Sequence, residues 1–361
     1  MAVHDQLARG LSHDRDSSDV IPVRPIEIVG GGLSGLALGL ALRREGIPVT
    51  LLEAGHYPRH RVCGEFITGL GPTTIARLGL APFFQDALRH REIAWFHREK
   101  IARLQRLPAA ALGLSRHALD ARLADAFVAA GGDLRTGTRA TDLAPRAGRV
   151  HATGRQRGDA SWIGLKIHVR GLAVSRDLEV HLGDQAYVGL AAIEDGEINL
   201  CGLFRQRRIS ATGPALLSAY LVASGLPAMA ARFAGAASDA TSFCAVAALS
   251  FSAPTTSPPA DIIALGDAHG LIPPFTGHGM ALAFQSAETA LDPLLAYARG
   301  QGEWSATCRR ATEAMHRRFR RRFAAAGALH PFFLQPRRQR WLAGLARAHC
   351  LPLRPLYSLL H

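Results

Sequence analysis

The amino-acid sequence predicts an α/β chain in which a parallel βαβ layer is interleaved with an α+β, antiparallel-sheet domain and followed by a C-terminal helical segment. Three observations carry this expectation. A strand, a glycine-rich turn, a helix and a second strand follow one another between Pro25 and Glu53. From Ser161 the apolar residues switch to a period of two, and Asp195-Gly196 separates two apolar runs. A last apolar strand, Asp261 to Leu265, then leads into residues that read helical from Gly279 onward.

The elements follow in order. Pro25-Ile26-Glu27-Ile28-Val29 is a short β-branched strand, and Leu33, Leu36, Ala37, Leu40 and Ala41 then recur at helical spacing, as on one face of an amphipathic helix. Gly46 closes that helix, and Pro48 to Glu53 reads as the second strand of a unit of about thirty residues. Ser115 to Ala130 is helical, with Leu119, Leu123, Ala126 and Phe127 on one face and Gly131-Gly132 as the stop. Ile163, Leu165, Ile167 and Val169 alternate with Trp162, Gly164, Lys166 and His168, the pattern of a half-buried strand whose second face is solvated. Asp195-Gly196, inside Ala191 to Phe204, predicts a hairpin with a two-residue turn. Ser252 to Ala260, rich in Pro, Ser and Thr, is expected as a linker.

At 361 residues with 48% apolar and 20% charged side chains, the chain can bury a large core and is not a disordered one. It lacks an uninterrupted apolar run of 18 residues, so a spanning helix is not expected. The net charge of +13 would suit nucleic acid, yet only Lys100 and Lys166 are lysines among 42 basic residues. That arginine bias fits GC-rich coding, and apart from Arg317, Arg318, Arg320, Arg321 and Arg322 the cations are dispersed; no nucleic-acid partner is expected. The five cysteines form no C-x-x-C pair, which excludes a disulfide framework and a zinc site. The stretch Met1 to Asp19 is polar, without the apolar segment of a signal peptide, and the expected location is cytoplasmic.

Gly30-Gly31-Gly32-Leu33-Ser34-Gly35 matches G-x-G-x-x-G, and Glu53 follows 18 residues after Gly35 at the end of the next strand. A strand before, a helix after and an acidic residue at that spacing are the context in which the pattern means dinucleotide binding. Gly30 permits the tight turn, Gly32 lets a pyrophosphate approach the backbone, and Gly35 lets helix and strand pack closely. Free N–H groups at the helix start then meet the diphosphate, and Glu53 can accept a ribose hydroxyl. An acidic side chain repels a ribose 2′-phosphate, so NADP fits poorly here and FAD or NAD remain.

About 230 residues later, Gly266-Asp267-Ala268-His269-Gly270 and Pro273-Pro274-Phe275-Thr276-Gly277-His278-Gly279-Met280 lead from the last strand into a helix. This pairing resembles the para-hydroxybenzoate-hydroxylase-like FAD-dependent oxidoreductases, a superfamily of flavin monooxygenases, flavin-dependent halogenases and geranylgeranyl reductases. Pro58-Arg59-His60-Arg61-Val62-Cys63-Gly64-Glu65 looks most like the geranylgeranyl reductase branch, and Arg116-His117-Ala118-Leu119-Asp120 resembles the family's R-x-x-L/F-D segment. The resemblance implies a Rossmann-like FAD-binding domain and a set of cofactor contacts. Gly30, Gly32, Leu33, Ser34 and Gly35 would meet the diphosphate, and Glu53 and Ala54 the adenosine. Arg61, Cys63 and Arg116 would line the crevice, and Gly266, Asp267, Pro274, Thr276, Gly277, Gly279 and Met280 the ribityl chain and ring. The family's Ala-Asp-Gly-x-x-Ser motif has no counterpart in His151 to Asp159, which argues against direct NADPH reduction, and no W-x-W-x-I-P of halogenases occurs.

His278 and His269 flank the loop and are the candidate catalytic residues, since imidazole moves protons near neutrality; the plainer alternative is a loop histidine bonded to a carbonyl. Cys63, beside Arg59 and Arg61, is either a thiol of lowered pKa or a small packed one. Lys166, His168 and Arg170 read as an ordinary solvated strand face. Arginines and aromatics between Met315 and Leu360 suit a helical lid, or else a bilayer surface or an acidic carrier protein. The expected domains are a flexible tail at 1–22, a discontinuous FAD-binding domain at 23–85, 112–160 and 255–300, a substrate domain at 86–111 and 161–254, and a helical region at 301–361. The expected function is FAD-dependent oxidation or reduction of a hydrophobic or aromatic small molecule of lipid, prenyl or polyketide type. The electron donor, NAD(P)H or a reductase partner, stays open. A flavin or lipid carrier without catalysis and a halogenase-like enzyme are the alternatives.

Overall fold

The computed structural model describes residues 23–155, 161–249, 251, 261–348 and 350, so the expected tail at 1–22 and the linker Ser252 to Ala260 lie outside the described residues. In chain order the elements are β1 (Ile26–Val29), α1 (Leu33–Arg44), β2 (Val49–Leu52), β3 (Phe66–Ile67), α2 (Pro72–Leu78), β4 (Leu88–His97), β5 (Lys100–Gly113), α3 (Arg116–Ala129), β6 (Asp133–Arg135) and β7 (Arg149–His151). There follow β8 (Trp162–Arg170), β9 (Leu178–Gly183), β10 (Ala186–Ala192), β11 (Ile198–Arg205), α4 (Gly213–Ala223), α5 (Pro227–Ala234), β12 (Ala237–Leu249), β13 (Ile263–Ala264), α6 (Gly279–Ala298), α7 (Trp304–Leu334) and α8 (Pro336–Arg347).

Two sheets result. The first is parallel, in the order β13-β7-β1-β2-β6, so the first and last strands of the predicted layer meet through β7. The second runs β12-β8-β11-β10-β9-β4-β5-β3 and is antiparallel except where β4 lies beside β9. The chain crosses between the sheets repeatedly, which is the interleaving that the order of motifs predicts.

Helix α1 departs from its expected one-sided character: every residue from Leu33 to Leu42 is buried. The physical reason is that α6 and α3 cover the faces that the sheet leaves open, so the helix needs apolar or small residues all round. Its end is tied down by Arg43, which donates to the carbonyls of Ala130 and Ile47, and by Arg44, which donates to Leu78. Met315, Phe319 and Phe323 of α7 join the same core as α1 and α6.

The Asp195-Gly196 turn forms with both residues at left-handed φ, +58° and +71°. The loop is one residue longer than expected, because Ile193 pairs with Glu197 and leaves Glu194, Asp195 and Gly196 between them. Glu194 is then placed to cap α3: its carboxylate accepts the main-chain N–H of Ser115 at 2.8 Å and also the Ser115 hydroxyl. Ser115 Oγ in turn accepts Ala118 N–H at 3.0 Å, so one turn of the second sheet fixes the first turn of a helix that flanks the first.

Candidate functional site

The first glycine-rich turn is held by close approach. Gly30 has φ +110°, and a Cβ there would stand 2.1 Å from the Ala152 carbonyl oxygen; a Cβ on Gly35 would stand 2.0 Å from the Gly30 oxygen. Gly32, the N-cap of α1, has nothing within 4 Å of a Cβ position, so the space over the helix start is open where a diphosphate requires it. Leu33 and Ser34 have buried side chains and offer the main chain only.

Glu53 closes the adjoining end. Its carboxylate accepts N–H groups from Gly31 and Gly55, each at 2.8 Å, and meets Arg59 at 3.1 Å and Arg61 at 3.7 Å. Burial works to raise its pKa, but the Gly55 amide, Arg61, Arg59 and the Gly31 amide together hold it below the usual carboxylate value. Arg61 also bonds Asp120 at 3.1 Å, and Asp120 receives Arg116 through two bonds of 2.7 Å. The R-x-x-L-D segment thus forms its own fork-shaped pair, and Arg116 is held against Asp120 at one wall of the crevice.

The two distant motifs meet. A Cβ on Gly266 would come within 2.9 Å of Ser34 Oγ, and Leu265 donates to the His151 carbonyl at 2.8 Å. Asp267 therefore stands beside the start of α1, reached by solvent but crowded by protein; that crowding raises its pKa, opposed by the charges of Arg116, Arg155 and Arg61. Gly277 sits at φ +68°, where a Cβ would strike the Phe66 ring at 2.4 Å. The loop is pinned to the second sheet by Phe275 N–H, which donates to Tyr187 Oη at 3.2 Å, and to β3 by Thr68, whose N–H bonds the Gly277 carbonyl at 3.3 Å. Pro274 and Gly279 are exposed, whereas Met280 is packed in the core of the parallel layer, so it too contributes only main chain.

Beyond that loop lies a cavity of about 180 Å³ with almost wholly apolar walls. Phe66, Thr68, Thr276 and His278 form its floor, β4 and β9 supply Ile93, Trp95, Val180 and Leu182, and α7 and α8 close it with Phe333 and Ala343. Of the two candidate histidines, only His278 lines it, buried and with Nδ1 3.5 Å from Thr68 Oγ1. His269 instead lies against Phe319 and Phe323 of α7, and burial brings its pKa down to about 4. Gln105 reaches the same cavity with a buried Oε1 that has no hydrogen-bond partner.

Of the two readings of Cys63 the packed one fits, and the reading of β8 is corrected. The Cys63 thiol is not activated: burial raises its pKa, partly opposed by Arg116, because Arg59 and Arg61 turn to Glu53 and Asp120 instead. The face carrying Lys166 and His168 is not solvated, since the segment from Tyr57 to Glu65 lies across it; Lys166 is 0% and His168 2% exposed. His168 Nε2 is 2.6 Å from Glu65 and Nδ1 is 3.2 Å from Glu197, while Lys166 Nζ lies 3.4 Å from Glu65 and 3.2 Å from His60 Nδ1. Sequence reasoning missed Glu65 and Thr68 as site residues. The available signal was the position of Glu65 directly after Cys63-Gly64, with Thr68 three residues on, and the lysine at 166 in so arginine-rich a chain.

Residues 28–82 match the family described as the NAD(P)-binding Rossmann-like domain. A menaquinone reductase of Mycolicibacterium smegmatis is 27% identical over 139 residues, 35% of this chain and 32% of its own length. One of Mycobacterium tuberculosis is 32% identical over 76 residues, 21% of this chain and 17% of its own length. The matched part is thus a third or less of these curated relatives. Among solved structures, p-nitrophenol 4-monooxygenase of Pseudomonas putida superposes with a TM-score of 0.75 at 13% identity, covering 94% of this chain and 97% of that one. HpxO of Klebsiella pneumoniae, solved with FAD and uric acid, gives 0.73 at 16% identity over 93% and 96%. The chain shares the fold of these solved structures.

Proposed function

We propose that the chain is an FAD-dependent oxidoreductase acting on a hydrophobic or aromatic small molecule, as reductase or monooxygenase. The observation that carries this reading is the meeting of Gly266 with Ser34, which joins the open helix start at Gly32 and the carboxylate of Asp267 in one crevice that ends at an apolar cavity. The residues fit an extended FAD. Gly30 to Gly35 would hold the diphosphate on the N–H groups of α1, Glu53 and Ala54 the adenosine, Asp267 the ribityl chain, and Pro274 to Gly279 the ring, with Arg61, Cys63 and Arg116 along the wall. The division into an FAD-binding part at 23–85, 112–160 and 255–300 and a substrate part at 86–111 and 161–254 belongs to the same proposal.

When bound, the flavin would supply the hydride or oxygen chemistry. The protein's own share is to exclude water with the aromatic walls of the cavity, to orient the substrate against the loop, and to hold a proton at His278. A cavity with so few polar groups favours an apolar or aromatic substrate, in keeping with a menaquinone reductase among the relatives and a p-nitrophenol 4-monooxygenase among the solved structures. The arginines carried by α7 and α8, helices that also line the cavity through Phe333 and Ala343, suit substrate presented at a bilayer surface or on an acidic carrier. Among the described residues no helix is long and apolar enough to cross a membrane.

Adding FAD to the purified protein and reading bound absorbance at about 450 nm tests the proposal. Binding of NAD with no binding of FAD would overturn it. Anaerobic turnover separates the two chemistries, because a monooxygenase stops without oxygen and a reductase does not.

A further inference from the structure

The buried charges on β8 are more than a clamp for the segment that crosses them. Glu65 is fully buried and its backbone is bent into the left-handed region at φ +54°, which turns its side chain under the second sheet. One oxygen, Oε1, takes the Arg116 N–H at 3.0 Å and faces Lys166 Nζ at 3.4 Å; the other, Oε2, is left to His168 Nε2 at 2.6 Å. The opposite ring nitrogen of His168 faces Glu197, which is 21% exposed and shared with Arg170 at 3.0 Å. Among the described residues Asp239 of β12 and His60, whose ring stands edge-on to His168 at 5.1 Å and stacks on His117, face the ring, and Cys63, Cys201 and Cys244 act on Glu65.

A neutral imidazole has one N–H and one bare nitrogen, so it cannot donate to two carboxylates at once. The imidazolium donates to both, so a ring set between two carboxylates, one at the surface and one buried, can take a proton on one nitrogen and release one from the other, which is what a relay requires. We propose that Glu197, His168 and Glu65 form a proton path from solvent to the buried Glu65 carboxylate, next to Arg116, whose N–H it accepts. An inward step places a proton from Glu197 on Nδ1 and releases the Nε2 proton to the Glu65 carboxylate; an outward step is its reverse. The inward step breaks the Glu197 O–H and the Nε2–H bonds, makes the Nδ1–H and Glu65 O–H bonds, and is redox-neutral; the outward step reverses this. A flavin takes up a proton with its electron pair on reduction and returns it on reoxidation, so traffic alternates and the ring never needs to turn. That coupling rests on the crevice being a flavin site; the path itself does not.

Two measurements separate these claims. In cofactor-free protein labelled with 15N-histidine, the His168 ring N–H is identified by its loss in H168Q, or in H168N should the first not fold. Its exchange with solvent is then followed in E197Q. A path predicts exchange at least tenfold slower than in the unaltered protein, because the surface carboxylate that passes protons is gone. A purely structural ion pair predicts faster exchange, because its removal loosens the ring; faster or unchanged exchange overturns the proposal. In FAD-loaded H168Q, anaerobic bleaching by added dithionite slows about tenfold and free imidazole restores it. Slowing without imidazole rescue would overturn the coupling to flavin, whereas failure of the unaltered protein to bind FAD would overturn the functional reading and leave the exchange result standing.

Discussion

The carboxylate of Glu53 accepts the main-chain N–H of Gly31 at 2.8 Å, so the end of β2 is bonded directly to the turn that precedes α1. Gly55 takes the other oxygen at the same distance, and the geometry leaves little for a neutral replacement to imitate. In Glu53→Gln one oxygen becomes an N–H₂ that opposes a backbone donor, a loss of about 1–3 kcal/mol for a buried group. The linkage has a sign. A carboxyl whose folded pKa is depressed stabilises above its unfolded value and loses that contribution as pH falls through the folded one. Thermal midpoints of the unaltered protein should therefore drop below about pH 4.5 relative to E53Q, whose midpoint is lower at pH 7 and changes less.

The glycines of the turn separate folding from binding. Gly30→Ala places a Cβ 2.1 Å from a carbonyl oxygen at φ +110°, and should prevent accumulation of folded protein. Gly32→Ala meets no atom within 4 Å and needs no unusual φ. It should leave the melting temperature nearly unchanged, because alanine restricts the unfolded chain by about 0.4–1 kcal/mol but fits the N-cap of α1 less well than glycine. FAD affinity, read by titration of flavin fluorescence, should nevertheless fall at least a hundredfold. Equal FAD affinity in G32A and the unaltered protein would place the diphosphate elsewhere.

Asp267 carries the opposite trade. Its crowding raises the carboxyl pKa, so at pH 7 the charged form costs the cofactor-free protein stability. Asp267→Asn should melt higher than the unaltered protein without FAD and bind FAD more weakly. Calorimetric scans with and without FAD read both effects, and a variant that melts lower without FAD would contradict the electrostatic account.

The parallel layer was legible because its cues are local: a β-branched run, three glycines at fixed spacing, and an acidic residue at the end of the next strand. The alternation in β8 was equally visible, but what covered its second face was not. That face is closed by residues 57–65, about a hundred positions away, and no local pattern reports such a contact. Period two states which side chains share a face and leaves open whether water or protein lies over it. The same limit applied to His269 and His278, which flank the loop alike in sequence; only the packing of α7 sends one ring to Phe319 and leaves the other at the cavity.

Gln105 offers a test of the cavity alone. Its Oε1 is buried among apolar walls with no partner, a cost of about 1–3 kcal/mol in the absence of ligand. Gln105→Leu should raise the melting temperature by a few degrees and tighten binding of a purely apolar fluorescent probe. A substrate that donates a hydroxyl or N–H to this oxygen should lose about tenfold in affinity in the same variant, which makes Gln105 a specificity determinant. A lower melting temperature in Q105L would mean that the oxygen is already satisfied.

His330 gives the pH dependence of folding its clearest source. Burial lowers its pKa to about 4, and its ring sits among Phe251, Phe275 and Tyr187, at centroid distances of 4.9, 5.9 and 6.0 Å. The folded form resists the proton that the unfolded form accepts near pH 6.5, so the neutral ring stabilises fully above that pH. The contribution declines as pH falls from 6.5 toward 4, at most about 1.4 kcal/mol for each unit. His60 and His269, also lowered to about 4 and both partly exposed, act in the same window with smaller effect. His330→Phe keeps an aromatic ring against the same neighbours and removes the titration. Its melting temperature should therefore fall less steeply than that of the unaltered protein between pH 6.5 and 4.5, with the two curves running parallel above pH 7. Curves that stay parallel down to pH 4.5 would show that His330 takes up its proton in the folded state, and that its ring is reached by water.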